Sequence, residues 1–582
     1  MENLNDFILK PARDDLDCNR PWIKYYSENT FPNIEYPDKN MYQMIEFIGE
    51  NRPNNEALEF LGLNISYNEL ISLIDQCAKA LIHLGLGVGD KITICLPNIP
   101  QTVIAFYAVN KIGAVSNMIH PLSAPKEIEY YLTLTDSKFV LTTDFAFENF
   151  VNLNNVDLKR IIVCKIQDYL SSAKRAGFWL FSGRKIPKIP KNDNIIMWKD
   201  LLKLGKQSNT YKFHIAQKDD PAVILYTGGT TGKQKGVVLS NLNFNALALQ
   251  TGSQVKVELN DTMMCIMPFF HGFGLGVSMH TTLVFGAKAI LVPKFNTEEF
   301  AKTFNKYKPN FIAGVPTLFA ALVNTKQMKK TDFSCLKGIF SGADTLPNEI
   351  KVNFENFIHE KGAKVNIREG YGLTETVTAS CLTPPDEYRH GSIGIPFPDT
   401  LYQICHPGTQ EPCALDEEGE ICISGPTVML EYYKEKEETD IVLQKHSDGY
   451  LWIHTGDFGS MDNDGFVYFK QRIKRIIKSS GYSVFPSQIE NVLIEDDTVA
   501  NCCVVGVPDP YQMEKIRAYI ILEDGCSPSK ELEHKLLKRC KEYLSKWSVP
   551  QDFVFRDELP LTQIGKISYV DLEKEILDEI ND

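Results

Sequence analysis

The chain has 582 residues, with 61 lysines and arginines against 74 aspartates and glutamates, a formal net charge of −13. That length is too great for one core and calls for several domains, and the acidic balance argues against nucleic acid as the main partner. With 43% hydrophobic and 23% charged residues, the composition is that of a soluble globular protein. The fourteen cysteines are scattered, with no CxxC and a single adjacent pair, Cys502–Cys503, as expected for reduced thiols in a cytoplasmic protein.

The opening residues, MENLNDFILKPARDD, contain neither a basic run nor a long apolar one, so no secretory signal is expected. Met41 to Arg52 is predicted helical. Leu58 to Tyr67 reads as a short strand pair turning at Gly62–Asn64. A helix from Glu69 to Leu84 stops at Gly85. Lys91 to Leu96 is a buried strand, Pro97–Pro100 opens a helix carrying Phe106 and Val109, and Gly113 to Met118 is the next strand. This alternation predicts an α/β fold with parallel-rich sheets covered by helices.

Residues 168–191 combine Lys174, Arg175, Arg184, Lys185, Lys188 and Lys191 with Phe178, Trp179, Leu180 and Phe181. Such a patch fits peripheral contact with an anionic membrane, and fits equally a solvated insertion loop.

The next stretch, Ile224 to Ser240, reads ILYTGGTTGKQKGVVLS. An apolar strand breaks into Thr227, Gly228, Gly229, Thr230, Thr231 and Gly232. Glycines let backbone N–H groups approach a ligand, hydroxyls add donors, and Lys233 and Lys235 add positive charge, a set suited to polyphosphate. It is not a Walker loop, because Thr227 and Gln234 stand where that pattern needs a glycine and a serine or threonine. Without the lysines, a flexible surface turn would fit as well.

Cys265 to Ala287 carries no formal charge. Its proline, glycines, His271 and His280 fit a buried turn, pocket wall and strand better than a membrane span. Asn243 to Gln250 is predicted helical, Ala289–Val292 a strand, and Thr297 to Tyr307 a helix before FIAGVPT (Phe311–Thr317). The strand Leu336–Phe340 ends in SGAD, where Gly342 and Ala343 permit close approach to a flat ligand. In REGYGLTET (Arg368–Thr376), Tyr371 stands between Gly370 and Gly372 and can offer its ring face to a base. Thr374 and Glu375 then set a hydroxyl beside a carboxylate; the plain alternative is a turn with Thr374 capping a helix. Further on, Glu418 to Ser424 is a strand. Asp457, in TGD, could accept hydrogen bonds from both hydroxyls of a ribose. Arg472, Lys474, Arg475 and Lys478 crowd one short run. The last hundred or so residues read as a small α+β domain with strands Cys502–Val507 and Ala518–Leu522 and a helix from Pro528 to Leu544. It ends in LPLTQIGKIS (Leu559–Ser568), which carries Lys566.

YTGGTTGKQKGV resembles the signature loop of the adenylate-forming superfamily, which includes acyl-CoA synthetases, firefly luciferases and adenylation domains; Gly228 and Gln234 replace the serine and proline common there. The TGGTTG variant looks most like the medium- to long-chain fatty acyl-CoA synthetases. YGLTE, TGD, the run at Arg472–Lys474 and LPLTQIGK follow in that family's order, so the resemblance covers about residues 40 to 575. It implies an N-terminal AMP-binding domain over 1–473, including a β-rich subdomain, and a small mobile domain over 474–582.

The resemblance also implies roles. The loop from Thr227 to Lys235 would hold the β- and γ-phosphates of ATP. Gly342, Ala343 and Tyr371 would meet adenosine, Thr374 the α-phosphate, and Glu375 Mg²⁺, with Thr230 a further candidate ligand. Asp457 and Arg472 would hold the ribose. His271, Gly272, Gly314 and Val315 would line the acyl pocket, which the glycines are expected to make roomy. Lys474 would be the hinge, Gly481 and Tyr482 the coenzyme A path, and Lys566 the catalytic lysine. Gln471, where the family has glycine, is expected to alter only the local turn.

The implied reaction converts a carboxylic acid to acyl-AMP and then to a thioester of coenzyme A. Alternatives are a stand-alone enzyme loading an acyl carrier protein, a bile-acid or aryl-acid ligase, a luciferase-type oxidase, and a nucleotide-binding scaffold or sensor. The last predicts loss of Lys566, Glu375 or Asp457, and all three are present. Both a monomer and a homodimer are compatible with the sequence.

Overall fold

The computed structural model describes residues 8–13, 19–28, 30–151, 153, 156–171, 174–175, 188–208, 213–227, 234–479, 482–509, 511–561 and 567–581. Most of the basic-aromatic segment, and Gly228–Gly232, Gly481 and Lys566 among the expected site residues, therefore lie outside the described residues. The chain divides into two compact units. The first takes in Met1–Tyr402, Ile423–Ile453 and Asn463–Phe466; the second takes in Gln403–Cys422, His454–Asp462 and Val467–Asp582.

Two large sheets build the first unit. One has eight strands. Lys91–Cys95, Val115–Met118, Phe139–Thr143 and Arg160–Cys164 run parallel within it, and Pro221–Thr227 runs parallel to Val115–Met118. The other has nine strands, with Thr262–Cys265, Lys288–Leu291, Phe311–Gly314, Gly338–Ser341 and Ile367–Tyr371 in parallel. These strands are apolar over nearly their whole length because both faces are covered. The helices begin where the sequence supplies caps. Asn40 and Ser66 each cap by side chain the helices Met41–Asn51 and Tyr67–His83, and proline leads Pro100–Ile112.

The uncharged stretch after Cys265 departs from expectation. Phe273–His280 is a π-helix that runs into the α-helix Thr281–Val284, and every residue in both is buried. It lacks charge because protein surrounds it on all sides, as the buried reading expects, although it is helical and not a strand. No helix among the described residues is long and apolar enough to cross a membrane.

The strands Gly419–Ser424 and Leu451–Met461 are neighbours in a sheet, and within the second unit Asp457–Met461 pairs antiparallel with Val467–Arg472. A separate sheet joins Ile477–Ser479, Val499–Asp509, Met513–Leu522 and Asp552–Phe555. Its core includes Val484, Ile489, Leu493, Val504, Ile516, Ile520 and Leu536.

Candidate active site

Three motifs lie at the carboxyl ends of adjacent parallel strands, the place where open α/β sheets take ligands. Phe311–Gly314, Gly338–Ser341 and Ile367–Tyr371 are neighbours, with Gly314 in register with Ser341 and Ser341 with Glu369. The Gly342 N–H donates to the Gly314 carbonyl at 3.1 Å. A Cβ on Gly342 would stand 3.4 Å from the Gly370 carbonyl oxygen, and one on Gly372 only 1.7 Å from that of Thr378. The SGAD and YGLTE turns are thus packed backbone to backbone. Ala343 has φ +70°, an unusual value for a residue with a side chain, so that turn is held by its neighbours.

Thr374–Thr376 forms a single 3₁₀ turn, with Leu373 and not Thr374 in the capping position. Val377, at φ +64°, ends the turn at once, so the alternative of a helix capped by Thr374 does not form. Thr374 and Glu375 are both buried. The Glu375 carbonyl accepts from the Met429 N–H at 2.8 Å, and its carboxylate accepts from the Tyr432 hydroxyl at 2.6 Å.

Tyr432 connects this turn to the glycine-rich loop. Thr227 closes one strand and Lys235 opens the next, in register with each other, so the loop spans a hairpin. The Lys235 ammonium sits 4.8 Å from the Tyr432 ring centroid and pairs with Glu438. The Gln234 carbonyl accepts from the Tyr130 hydroxyl at 2.7 Å, and its side-chain oxygen accepts from Tyr131. Gln234, which replaces the family's proline, therefore anchors the loop's end by hydrogen bonds.

The expected pocket residues tell a mixed story. His271 is half-buried, and its Nδ1 accepts from the Phe273 N–H at 3.2 Å. Phe270 packs against His120, with ring centroids 4.4 Å apart. The glycines do not leave room, contrary to expectation. A Cβ on Gly272 would come within 1.6 Å of the Val377 oxygen, on Gly274 within 2.2 Å of the Pro268 oxygen, on Gly276 within 2.6 Å of Leu247, and on Gly314 within 2.2 Å of Leu318. Their smallness serves close packing. Val315 is half-buried against the core that includes Leu318 and Phe319.

In the second unit, Asp457 and Arg472 are paired across two strands, with Arg472 Nε 3.3 Å from Asp457 Oδ1. Asp457 is buried and Arg472 exposed. A bulge at Phe458/Gly459 lies beside this pair and sets the angle of the strand. Gln471 is buried and accepts from the Ser487 hydroxyl at 3.3 Å. Lys474 lies exposed in the 3₁₀ turn Ile473–Arg475, and Tyr482 begins the strand Tyr482–Val484. Arg475 differs from its basic neighbours. It donates to Glu490 at 2.6 Å and lies over the Tyr569 ring. Leu561 and Ile567 form a bridge at the base of the segment carrying Lys566.

Sequence reasoning missed Tyr432, Glu438, Tyr130 and Tyr131. None sits in a recognisable motif, and only the fold brings them to the loop.

The family described as AMP-binding enzyme matches residues 46–433, and that described as AMP-binding enzyme C-terminal domain matches residues 488–566. A long-chain-fatty-acid–CoA ligase of Bacillus subtilis (strain 168) is 32% identical, over 97% of this chain and 99% of its own. One from Haemophilus influenzae is also 32% identical, over 94% and 96%. Among solved structures, ATP-bound MatB from Rhodopseudomonas palustris superposes with a TM-score of 0.77 at 22% identity, covering 93% of this chain and 100% of that one.

Proposed function

The chain belongs to the AMP-binding enzyme family, and on that premise we propose that it activates a medium- to long-chain fatty acid as acyl-AMP and transfers the acyl group to coenzyme A. AMP and pyrophosphate are the other products. The observation that carries this reading is the Lys235–Tyr432–Glu375 connection, which ties a phosphate-type loop to a buried carboxylate beside a hydroxyl. Near full-length similarity to long-chain-fatty-acid–CoA ligases supports the choice of acid.

A carboxylate is a poor electrophile until one of its oxygens becomes part of a good leaving group, and attack on the α-phosphate of ATP accomplishes this. Thr227 to Lys235 would hold the β- and γ-phosphates. Gly342, Ala343 and Tyr371 would receive adenosine, Asp457 and Arg472 the ribose, and Thr374 the α-phosphate. Glu375 would hold Mg²⁺, which supplies charge neutralisation on the phosphates. One buried carboxylate, fixed by the Tyr432 hydroxyl, fits a cation that takes few protein ligands and keeps water and phosphate oxygens. Lys566 would stabilise the charge that builds as the adenylate forms. His271, Gly272, Gly314 and Val315 would face the acyl chain. A turn of residues 474–582 about Lys474 would then bring Gly481 and Tyr482 forward for the thiol.

The test is ATP–pyrophosphate exchange across carboxylates from acetate to palmitate, with a bile acid and a benzoate, followed by thioester formation with coenzyme A. The expected result is strong exchange with medium or long chains, largely lost in Lys566→Ala, and thioester only with coenzyme A present. Exchange with no acid, in a folded protein that binds ATP, overturns the reading.

A further inference from the structure

The second unit contains a cluster that the adenylation reading does not use. Glu420 and Cys422 sit two residues apart on the strand Gly419–Ser424, so they share one face. His454 lies on the neighbouring strand Leu451–Met461. All three are buried. His454 Nδ1 is 2.9 Å from Glu420 Oε2 and 3.5 Å from Cys422 Sγ, and the three ligand atoms lie within 4.8 Å of one another. We propose that Glu420, Cys422 and His454 form a binding site for a thiophilic divalent cation of the zinc class.

The donor set carries the proposal. Thiolate, imidazole and carboxylate together suit zinc and cobalt, not magnesium or calcium. The spacing fits as well. Bonds of about 2.3 Å to sulfur and about 2.0 Å to nitrogen place those two atoms about 3.5 Å apart around a tetrahedral centre. The carboxylate is already oriented, because its other oxygen, Oε1, accepts from the Gly456 N–H at 2.9 Å. Support of this kind is what holds a metal ligand in place. A further thiol stands beside the site. Hydrogen bonding to Cys405, then burial, pushes the Cys422 thiol upward.

A second group, His406, Cys413 and Glu417, lies between the strands Leu401–Cys405 and Gly419–Ser424 and is more open, with Glu417 exposed. Cys413 Sγ is 2.7 Å from where a Cβ on Gly419 would stand.

The experiment uses the full chain, reduced, stripped with a chelator and titrated anaerobically with Co²⁺. The expected result is one equivalent bound with a thiolate-to-cobalt charge-transfer band and tetrahedral d–d bands, all displaced by Zn²⁺. Cys422→Ser should abolish the charge-transfer band, whereas Cys413→Ser should retain it. Should Cys422→Ser fail to fold by circular dichroism, His454→Gln keeps the thiol and should weaken Co²⁺ binding at least a hundredfold. Absence of the band in the unaltered chain overturns the site. So does a band lost in Cys413→Ser, or one that survives both Cys422→Ser and His454→Gln.

Discussion

The Tyr432 hydroxyl donates to the Glu375 carboxylate at 2.6 Å. The same ring lies beneath the Lys235 ammonium, so one side chain holds both a candidate metal ligand and a candidate phosphate ligand. Tyr432→Phe keeps the ring and removes only the donor. A hydrogen bond to a charged group contributes about 1.5–3 kcal/mol. We therefore expect the Mg²⁺ concentration for half-maximal ATP–pyrophosphate exchange to rise on the order of tenfold, with little change in the melting temperature. An unchanged Mg²⁺ dependence would show that Tyr432 does not orient Glu375.

Gly272 and Val377 meet so closely that a single methyl group tests the contact. A Cβ at position 272 would overlap the Val377 oxygen. Val377 already sits at φ +64°, a costly conformation for a β-branched residue, and cannot easily yield. Gly272→Ala should cost about 1–3 kcal/mol or more by overpacking. It should also depress exchange activity, because Val377 closes the turn that carries Thr374 and Glu375. Denaturant unfolding together with exchange at saturating ATP measures both effects. A stable variant with unchanged rate would mean that this contact does not position the turn.

His280 gives a pH signature of stability. It is fully buried, and burial pushes its pKa down to about 3. Its ring bonds to the Tyr107 hydroxyl at 2.9 Å and to the Asn245 side-chain oxygen at 3.0 Å, which suits the neutral imidazole. The folded pKa lies below the unfolded value, so the unfolded chain binds a proton first as pH falls. Stability from this residue is complete above about pH 6.5 and is lost progressively toward pH 3. Between pH 7 and pH 5 it should account for a loss of about 2 kcal/mol. Urea titrations at both pH values should show a smaller loss for His280→Gln than for the unaltered chain. Equal losses would remove His280 from the account.

Local pattern made much of this architecture readable. Pro97–Pro100 marked one helix start and Gly85 one helix end, and apolar runs marked the strands. The helix Thr297–Tyr307 has the bounds that its spacing predicts. The order of the motifs named the chemistry. What stayed hidden depended on partners distant in sequence. The glycines near His271 gave no sign of whether they opened a pocket or admitted another backbone, and the answer lies in Val377, about a hundred residues later. The uncharged stretch hid a π-helix because burial on every side erases periodicity. Tyr432 and Glu438 carry no motif, and only the antiparallel pairing of Glu431–Tyr432 with Val237–Val238 delivers them to Lys235.

The basic run after Gln471 looks uniform in sequence, yet the structure divides it by role. Arg475 is largely buried, with Glu490 as its partner at 2.6 Å and the Val504 carbonyl at 3.4 Å. Removing one member of such a pair leaves the other charge buried, so Arg475→Met should destabilise the second unit by about 3–5 kcal/mol. Arg472 is exposed, 3.3 Å from the buried Asp457, so only one charge of this pair is held away from water. Arg472→Ala should therefore lower the melting temperature less than Arg475→Met does and should raise the apparent KM for ATP, through loss of a ribose contact and of the pairing that orients Asp457. The comparison needs thermal unfolding and ATP-dependent exchange on both variants. If Arg472→Ala unfolds early while Arg475→Met does not, the two roles are reversed. If neither variant shifts the KM for ATP, the Asp457–Arg472 pair is not the ribose site.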